Sequence, residues 1–223
     1  MRTTVDLDGL DALVEHGAVV VDVLPAATYA EVHLPGARNI PLADLDEAAV
    51  AGLDRSAAVV VYCFNYQCDL SPRAAARLES LGFTDVADFV AGRAAWTADG
   101  RPTQGEIADR DRILPRVRQD VPRCPPDATL AVARSAIGEW ELCCVVDDDG
   151  VLLGIVRSDA LVGPGELPLR DLVVTGPGTV RPDARVTEMA EQLDRDRLDH
   201  VLVTSFSGRL IGLLRRSDLD GDR

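Results

Sequence analysis

Three short apolar runs in the first half of the chain predict strands of one buried sheet. They cover residues 18–22 (AVVVD), 57–62 (AAVVVY) and 85–90 (DVADFV). Runs of this length without polar alternation are typical of strands that are covered on both faces. A sheet with two covered faces needs helices above and below it, and we therefore expect helices between these runs.

Residues 71–81 carry the clearest helical signal of this half. Ser71 suits the N-cap position, Pro72 suits the first helical position, and Gly82 suits the end of the helix. The helix falls between the second and third predicted strands. Strands that alternate with helices in this way predict an α/β domain with a parallel sheet.

The second half of the chain contains an internal repeat of about 55–60 residues, with one copy at about 120–165 and the other at about 166–220. Each copy shows a turn, a helix, an apolar strand, a glycine turn, a second strand and an acid. A unit of this size buries its core better against a second copy. We therefore expect two α+β repeats that pack together.

The boundaries follow from these patterns. Residues 1–105 form the first module and residues 120–223 the paired repeats. Residues 106–119 hold several arginines among acids, together with Pro115, and we interpret them as a linker.

Composition and charge exclude several kinds of partner and site. The chain of 223 residues has a formal net charge of −14, and both halves are acidic, so a nucleic-acid partner is not expected. No apolar run approaches the roughly 20 residues that cross a bilayer, and acids follow Met1 closely. We therefore expect a cytoplasmic protein without a membrane partner. The five cysteines are scattered and show no paired spacing, which predicts neither a disulfide framework nor a metal site.

Cys63 is the strongest candidate for chemistry. It directly follows the second predicted strand, at the carboxyl edge where parallel sheets present their sites. A short loop then leads to a helix N-terminus, whose dipole favours a thiolate and predicts a lowered pKa. Cys68 closes the same loop. It could resolve an oxidised Cys63 as a disulfide, fill space beneath the helix, or help to bind a metal or metalloid.

Five stretches of the first half form an ordered pattern: residues 21–23 (VDV), 29–37 (YAEVHLPGA), 60–63 (VVYC), 81–86 (LGFTDV) and 92–96 (GRAAW). In this order they resemble the rhodanese family. The resemblance implies that Cys63 takes a sulfane sulfur from a donor as a persulfide, that the N–H groups of residues 64–68 cradle it, and that a thiol acceptor removes it. The implied reaction requires no cofactor.

The loop after Cys63 departs from the family pattern, which has glycine and a basic residue there. Asp69 adds negative charge, and the nearest base is Arg73, so an anionic donor such as thiosulfate finds little attraction. Position 69 also excludes a phosphatase of the Cys-x5-Arg type. The loop residues are Phe64, Asn65, Tyr66 and Gln67.

In the second half, a glycine-to-acid motif runs from Gly212 to Asp218, and its first copy, which ends at Asp159, is one residue short. Together with the repeat, this motif resembles a tandem pair of CBS domains. The resemblance implies an adenine nucleotide or adenosyl ligand whose ribose bonds to Asp159 or Asp218. Arg157 and Arg215 either contact its phosphates or lie on the solvated surface. The resemblance to CBS pairs also implies that the protein is a homodimer.

Three hypotheses remain. In the first, the protein is a sulfurtransferase or persulfide carrier that uses Cys63, with the CBS pair as a regulatory or dimerising module. In the second, Cys63 and Cys68 form a non-enzymatic redox or thiophile sensor, and the CBS pair signals to a partner. In the third, the rhodanese-like module is an inert scaffold.

Overall fold

The computed structural model describes residues 3–107 and 111–219. The chain divides into two compact units, Met1–Arg110 and Asp111–Arg223. No helix among the described residues is long and apolar enough to cross a membrane.

The first unit is built on a five-stranded sheet in the order β1-β5-β4-β2-β3, and every pair of neighbouring strands is parallel. The predicted parallel sheet is therefore confirmed, with β4 as its central strand. The strands are β1 (Thr3–Thr4), β2 (Val19–Asp22), β3 (Arg38–Asn39), β4 (Val59–Tyr62) and β5 (Val86–Phe89).

Helices cover both faces of this sheet. Side chains alternate along β4, so that Val61 packs into one core with α3 while Val60 packs into the other core with α1 and α4. This two-sided burial explains why β4 is apolar at every position. The helices are α1 (Leu7–Glu15), α2 (Ala26–Glu31), α3 (Leu70–Ser80) and α4 (Gly92–Ala98).

The start of α3 differs from the predicted one. The helix begins at Leu70, and Ser71 is its second residue rather than its N-cap. The Ser71 side chain is fully buried and faces the end of β4, where it contacts the thiol of Cys63. The prediction of a Ser71 cap was wrong because the hydroxyl has a tertiary partner. Gly82 follows the helix with φ of +90°, in the left-handed conformation that a terminating glycine adopts.

The second unit contains two sheets of mixed direction, with orders β6-β7-β8-β9 and β10-β11-β12, and it confirms the predicted repeats. The strands are β6 (Arg123–Cys124), β7 (Leu142–Val146), β8 (Leu152–Arg157), β9 (Val174–Thr175), β10 (Thr179–Val180), β11 (His200–Thr204) and β12 (Leu210–Arg215). Its helices are α5 (Leu130–Ile137) and α6 (Val186–Asp196).

The two repeats match in detail. In each, a short strand pairs in parallel with the first strand of an antiparallel hairpin, so that β6, β7 and β8 correspond to β10, β11 and β12. Both hairpins have an irregularity at the same place, after Val145 in the first and after Val203 in the second. Equivalent residues can therefore be read directly from strand register.

Residues 111–119, part of the predicted linker, pack within the second unit. Ile113 is fully buried in its core, and its N–H donates to Ala184 O at 3.0 Å. Arg118 pairs with Leu213 through two backbone hydrogen bonds. Residues 111–119 pack against the second repeat in the same way as residues 167–174 pack against the first, where Leu169 is the buried residue. The sequence did not reveal this role, because the segment is rich in arginine and the residues that it contacts are distant in sequence.

Gly154 and Gly212 allow these segments to approach the neighbouring strands closely. A Cβ on Gly212 would lie 2.2 Å from Arg118 O, and a Cβ on Gly154 would lie 2.6 Å from Val174 O. Any side chain at either position would force the neighbouring backbone away. The repeated glycine thus has a structural reason in both copies.

Candidate functional site

Cys63 follows β4, the central strand, at its carboxyl end. The start of α4 holds this strand end in place. Arg93 N donates to Cys63 O at 3.0 Å, and Ala94 N donates to Phe64 O at 2.9 Å. These two bonds use N–H groups that the first turn of a helix leaves free. They fix the direction in which the chain leaves the sheet.

Gly92 makes that contact possible. Its φ is +63°, and a Cβ there would lie 2.5 Å from Cys63 O and 2.8 Å from Phe64 O. Only glycine combines this conformation with so close an approach of two backbones. Gly92 was noted in the sequence only as part of the family pattern, and its role at the cysteine emerges from the fold.

The Cys63 thiol is fully buried, and its Sγ lies 3.3 Å from Ser71 Oγ and 3.4 Å from Cys68 O. Burial raises the pKa of the Cys63 thiol, and the Cys68 side chain raises it further, while hydrogen bonds from Ser71 act in the opposite direction. The predicted lowering of this pKa was therefore wrong. The loss of water around the thiol outweighs the helix terminus, and a carbonyl oxygen faces the sulfur.

The loop between Cys63 and α3 closes on itself. The Asn65 side chain accepts a hydrogen bond from Gln67 N at 3.0 Å, and Asn65 O accepts one from Cys68 N at 3.0 Å. The backbone N–H groups of residues 64–68 are the five expected to cradle a sulfur anion, and those of Gln67 and Cys68 are thus already used. The described residues supply no acceptor for the remaining three, those of Phe64, Asn65 and Tyr66.

The surface around the loop is aromatic, and its nearest cations are engaged. The exposed fractions of Phe64 and Tyr66 are 46% and 65%. Arg73 pairs with Asp69 at 3.5 Å on the surface. Arg93, which the sequence did not single out, donates to the carbonyl oxygens of α2 and its C-terminal end and lies 5.3 Å from the centroid of the Phe64 ring.

Cys68 is half-buried and packs against the same core as Cys63. Both residues are free thiols. The structure therefore brings the two predicted thiols together at one end of the sheet, with Cys63 beneath the loop and Cys68 at its edge.

Asp22 is a buried acid at the end of β2 that the sequence did not identify as a site residue. Its Oδ1 accepts from Leu24 N at 2.8 Å, and it is paired in register with Tyr62, one residue before Cys63. Burial raises the pKa of this carboxyl, while hydrogen bonds from Tyr62 and Leu24 lower it. It shares a sheet face with Tyr62 and not with Cys63, which makes it part of the scaffold behind the site.

Two clefts flank the paired hairpins of the second unit. One, of about 410 Å³, has Arg157 and His200 in its lining. The other, of about 330 Å³, has Trp140 and Arg215, whose guanidinium carbon lies 4.7 Å from the centroid of the Trp140 ring. The two arginines predicted to face a ligand therefore line separate clefts, and both clefts have lining residues from both repeats.

The two acids predicted to bind ribose line neither cleft. Asp159 is exposed within the 3-10 turn Ser158–Ala160. The carboxylate of Asp218 forms an ion pair with Arg118, whose guanidinium nitrogens lie 2.8 and 3.0 Å from its two oxygens. It also accepts a hydrogen bond from Arg215 N at 3.2 Å. The hydrogen bond from Arg118 lowers the pKa of Asp218. A ribose at Asp218 would have to displace an ion pair.

Within residues 3–107 and 111–219, no group of three or more histidine, cysteine or acidic side chains could hold a metal ion.

Comparison with known proteins matches both units. Residues 6–99 match the family model of the rhodanese-like domain, and residues 112–163 and 165–220 each match that of the CBS domain. Two relatives are thiosulfate sulfurtransferases GlpE from strains of Pseudomonas fluorescens. The first is 42% identical over 85 residues, which is 38% of this chain and 75% of the relative. The other is 37% identical over 98 residues, which is 41% of this chain and 87% of the relative.

Solved structures resemble each half. The rhodanese-like domain of an Anabaena protein is 33% identical, with a TM-score of 0.44, and the match covers 49% of this chain and 84% of that one. CBS domains of a transcriptional regulator from Streptococcus pneumoniae are 12% identical, with a TM-score of 0.46, and cover 51% of this chain and 100% of that one. The chain belongs to the rhodanese family through its first unit, and a tandem pair of CBS domains follows.

Proposed function

We propose that the rhodanese-like unit transfers sulfane sulfur through a persulfide on Cys63. The observation that carries this proposal is the placement of the thiol at the end of the central parallel strand, beneath a loop with three N–H groups that have no acceptor among the described residues. The names of the GlpE relatives support the same chemistry.

The reaction has two displacement steps. The Cys63 thiol first loses its proton to solvent, and its thiolate attacks the outer sulfur of the donor. The donor's S–S bond breaks, the leaving group departs with the electron pair, and Cys63 carries a persulfide. An acceptor thiolate, or cyanide, then attacks the outer sulfur of that persulfide and releases the Cys63 thiolate. The free N–H groups of Phe64, Asn65 and Tyr66 stabilise the anionic persulfide.

An alkyl persulfide, which carries at most one negative charge, suits this loop better than thiosulfate, which carries two. Arg73 is paired with Asp69, and Arg93 is held by backbone carbonyls, so both of these cations already have partners with which an anionic donor must compete. Phe64 and Tyr66 instead provide apolar surface at the entrance. This preference separates the chain from relatives that are named for thiosulfate.

Cyanide-trapped sulfur transfer from both donors tests the proposal. We expect thiocyanate to form with either donor, with a higher kcat/KM for the alkyl persulfide, and to be lost in Cys63→Ser. Cys124→Ala provides a matched control, because that cysteine lies in the other unit. Absence of Cys63-dependent turnover with both donors would reject the enzyme, and a higher kcat/KM for thiosulfate would reject the donor preference.

The second candidate function is a dithiol sensor. It rests on the proximity of Cys68, whose carbonyl oxygen accepts from the Cys63 thiol and whose side chain packs against the same core. In this role peroxide oxidises the Cys63 thiol to a sulfenic acid and is reduced to water. The Cys68 thiolate then attacks the Cys63 sulfur and displaces the hydroxyl group, which leaves as water, to give a disulfide. Mass spectrometry after mild peroxide treatment distinguishes the two functions. A reversible 63–68 disulfide supports the sensor, and a stable persulfide on Cys63 after donor treatment supports the carrier.

For the CBS pair we propose a regulatory and dimerising role, with an adenine nucleotide in the cleft that Arg157 lines. The support is the arginine itself and a volume of about 410 Å³, within the range of small-molecule sites. Calorimetric titration with AMP and ATP should show binding that weakens in Arg157→Ala and persists in Arg170→Ala. Native mass spectrometry should show a dimer. Absence of heat with both nucleotides contradicts the ligand, and a monomer contradicts the dimer.

A further inference from the structure

Two buried thiols face each other in the first CBS repeat. Cys124 lies on β6 and Cys143 on β7, the adjacent parallel strand, and their Sγ atoms are 3.2 Å apart. Both residues belong to the same core, with exposed fractions of 2% and 0%. Cys144, the next residue, faces a different core. The pair is therefore defined by side-chain direction as well as by distance.

The second repeat shows what these positions need for packing alone. Strand register equates Cys124 with Val180, and Cys143 with Val201. Both valines pack into the corresponding core of the second repeat. A small apolar side chain is thus sufficient at either position, yet the first repeat has a thiol at both members of the contacting pair.

We propose that Cys124 and Cys143 form a dithiol–disulfide couple, a redox site within the first CBS repeat. The proposal is independent of sulfur transfer at Cys63. The new bond would link β6, a two-residue strand at the sheet edge, to β7, and would close the segment that contains α5.

The oxidant is a small-molecule disulfide or an equivalent two-electron acceptor. One protein thiolate attacks a sulfur of the reagent, whose S–S bond breaks and releases one thiolate. The second protein thiolate then attacks the protein sulfur of this mixed disulfide and displaces the other reagent thiolate. One S–S bond is broken and one is formed. The two protons of the protein thiols end on the two reagent thiols, and the protein gives up two electrons.

The buried environment of Cys124 and Cys143 determines how fast the disulfide forms. Burial and the neighbouring Cys124 thiol raise the pKa of Cys143, so few thiolates exist at neutral pH. Because β6 lies at the edge of its sheet and pairs with β7, its local opening is the route by which a reagent reaches the sulfurs. We therefore expect exchange to be slow and to accelerate with pH or with mild denaturant.

The test equilibrates the full chain, with Cys63→Ser and Cys68→Ser, in mixtures of oxidised and reduced dithiothreitol, followed by alkylation and trypsin digestion. Cleavage after Arg123, Arg134 and Arg157 places Cys124 and Cys143 in separate peptides. At the oxidising end we expect these peptides to be linked, with the loss of two hydrogen masses, and to separate on reduction.

Variants identify the partner within the second peptide, which also contains Cys144. The link should persist in Cys144→Ala and disappear in Cys143→Val and Cys124→Val, whose new residues copy the second repeat. Oxidation should also raise the melting temperature of the chain with native Cys143, and leave that of Cys143→Val unchanged. Separately alkylated peptides at the oxidising end, or a link that survives Cys143→Val, would overturn the proposal. If Cys143→Val fails to fold, the mapping in Cys144→Ala decides, because Cys143 is then the one cysteine of its peptide.

Discussion

The close contact at Gly92 allows one substitution to be worked out in detail. In Gly92→Ala, the left-handed conformation costs about 1–2 kcal/mol for a residue with a Cβ. The Cβ would also lie 2.5 Å from Cys63 O, and its partners are backbone atoms that cannot rotate away. Such overpacking costs a further 1–3 kcal/mol or so. We expect a total loss of about 2–5 kcal/mol for the first unit.

Gly36→Ala is the matched control. Gly36 has φ of +72°, similar to that of Gly92, but nothing lies within 4 Å of its virtual Cβ. Its substitution should cost only the conformational part, about 1–2 kcal/mol. Both variants restrict the unfolded chain equally, so that effect cancels in the difference. The difference of about 1–3 kcal/mol therefore measures the contact with the Cys63 strand end.

Hydrogen exchange in urea, followed on peptides from β2 and β4, measures the stability of the first unit separately. The same variants can be assayed for sulfur transfer, where Gly92→Ala should lose at least about tenfold in kcat/KM because a small displacement of a reacting group has effects of this size. Gly36→Ala should retain its activity. A Gly92→Ala variant that is as stable as Gly36→Ala would refute the reasoning.

The remaining predictions concern other parts of the chain. Ser71→Ala removes a hydrogen bond that lowers the pKa of Cys63, so the pH profile of Cys63 alkylation should move to higher pH; an unchanged profile would show that the hydroxyl does not act on the thiol. Ile113→Ala should destabilise the second unit by about 2–5 kcal/mol in urea denaturation, whereas a linker residue would cost nothing. Asp22 has a raised pKa, so its contribution to stability is full below the unfolded-state pKa and is lost as pH rises through the folded-state value. Asp22→Asn should remove that pH dependence, and a pH–stability curve that matches the unsubstituted chain would contradict this.

Local patterns were sufficient for most of the architecture. The apolar runs predict β2, β4 and β5 because strands buried on both faces are mostly apolar, with Asp22 in β2 and Asp88 in β5 as buried exceptions. The repeat predicts two equivalent hairpins, and the strand-loop-helix order places Cys63 at the carboxyl edge of the sheet. These features depend on neighbours in sequence, which is why the sequence alone reveals them.

The features that sequence reasoning missed depend on tertiary packing. The pKa of Cys63 follows from burial among the core residues and not from the adjacent helix, and the buried Ser71 hydroxyl contacts the thiol instead of capping its own helix. Arg118 and Asp218 form an ion pair although they are 100 residues apart in the sequence. No local pattern encodes these contacts, because each one is created when elements pack against one another in the folded unit.

The most direct test of the central claim is the mass of the protein after sulfur loading. The chain is incubated with excess alkyl persulfide, freed of reagent, and measured intact and as peptides. We expect the mass of one additional sulfur atom on the peptide that contains Cys63, its release by cyanide as thiocyanate, and its absence in Cys63→Ser. An unchanged mass, or added sulfur that remains in Cys63→Ser, would contradict the assignment of Cys63 as the sulfur carrier.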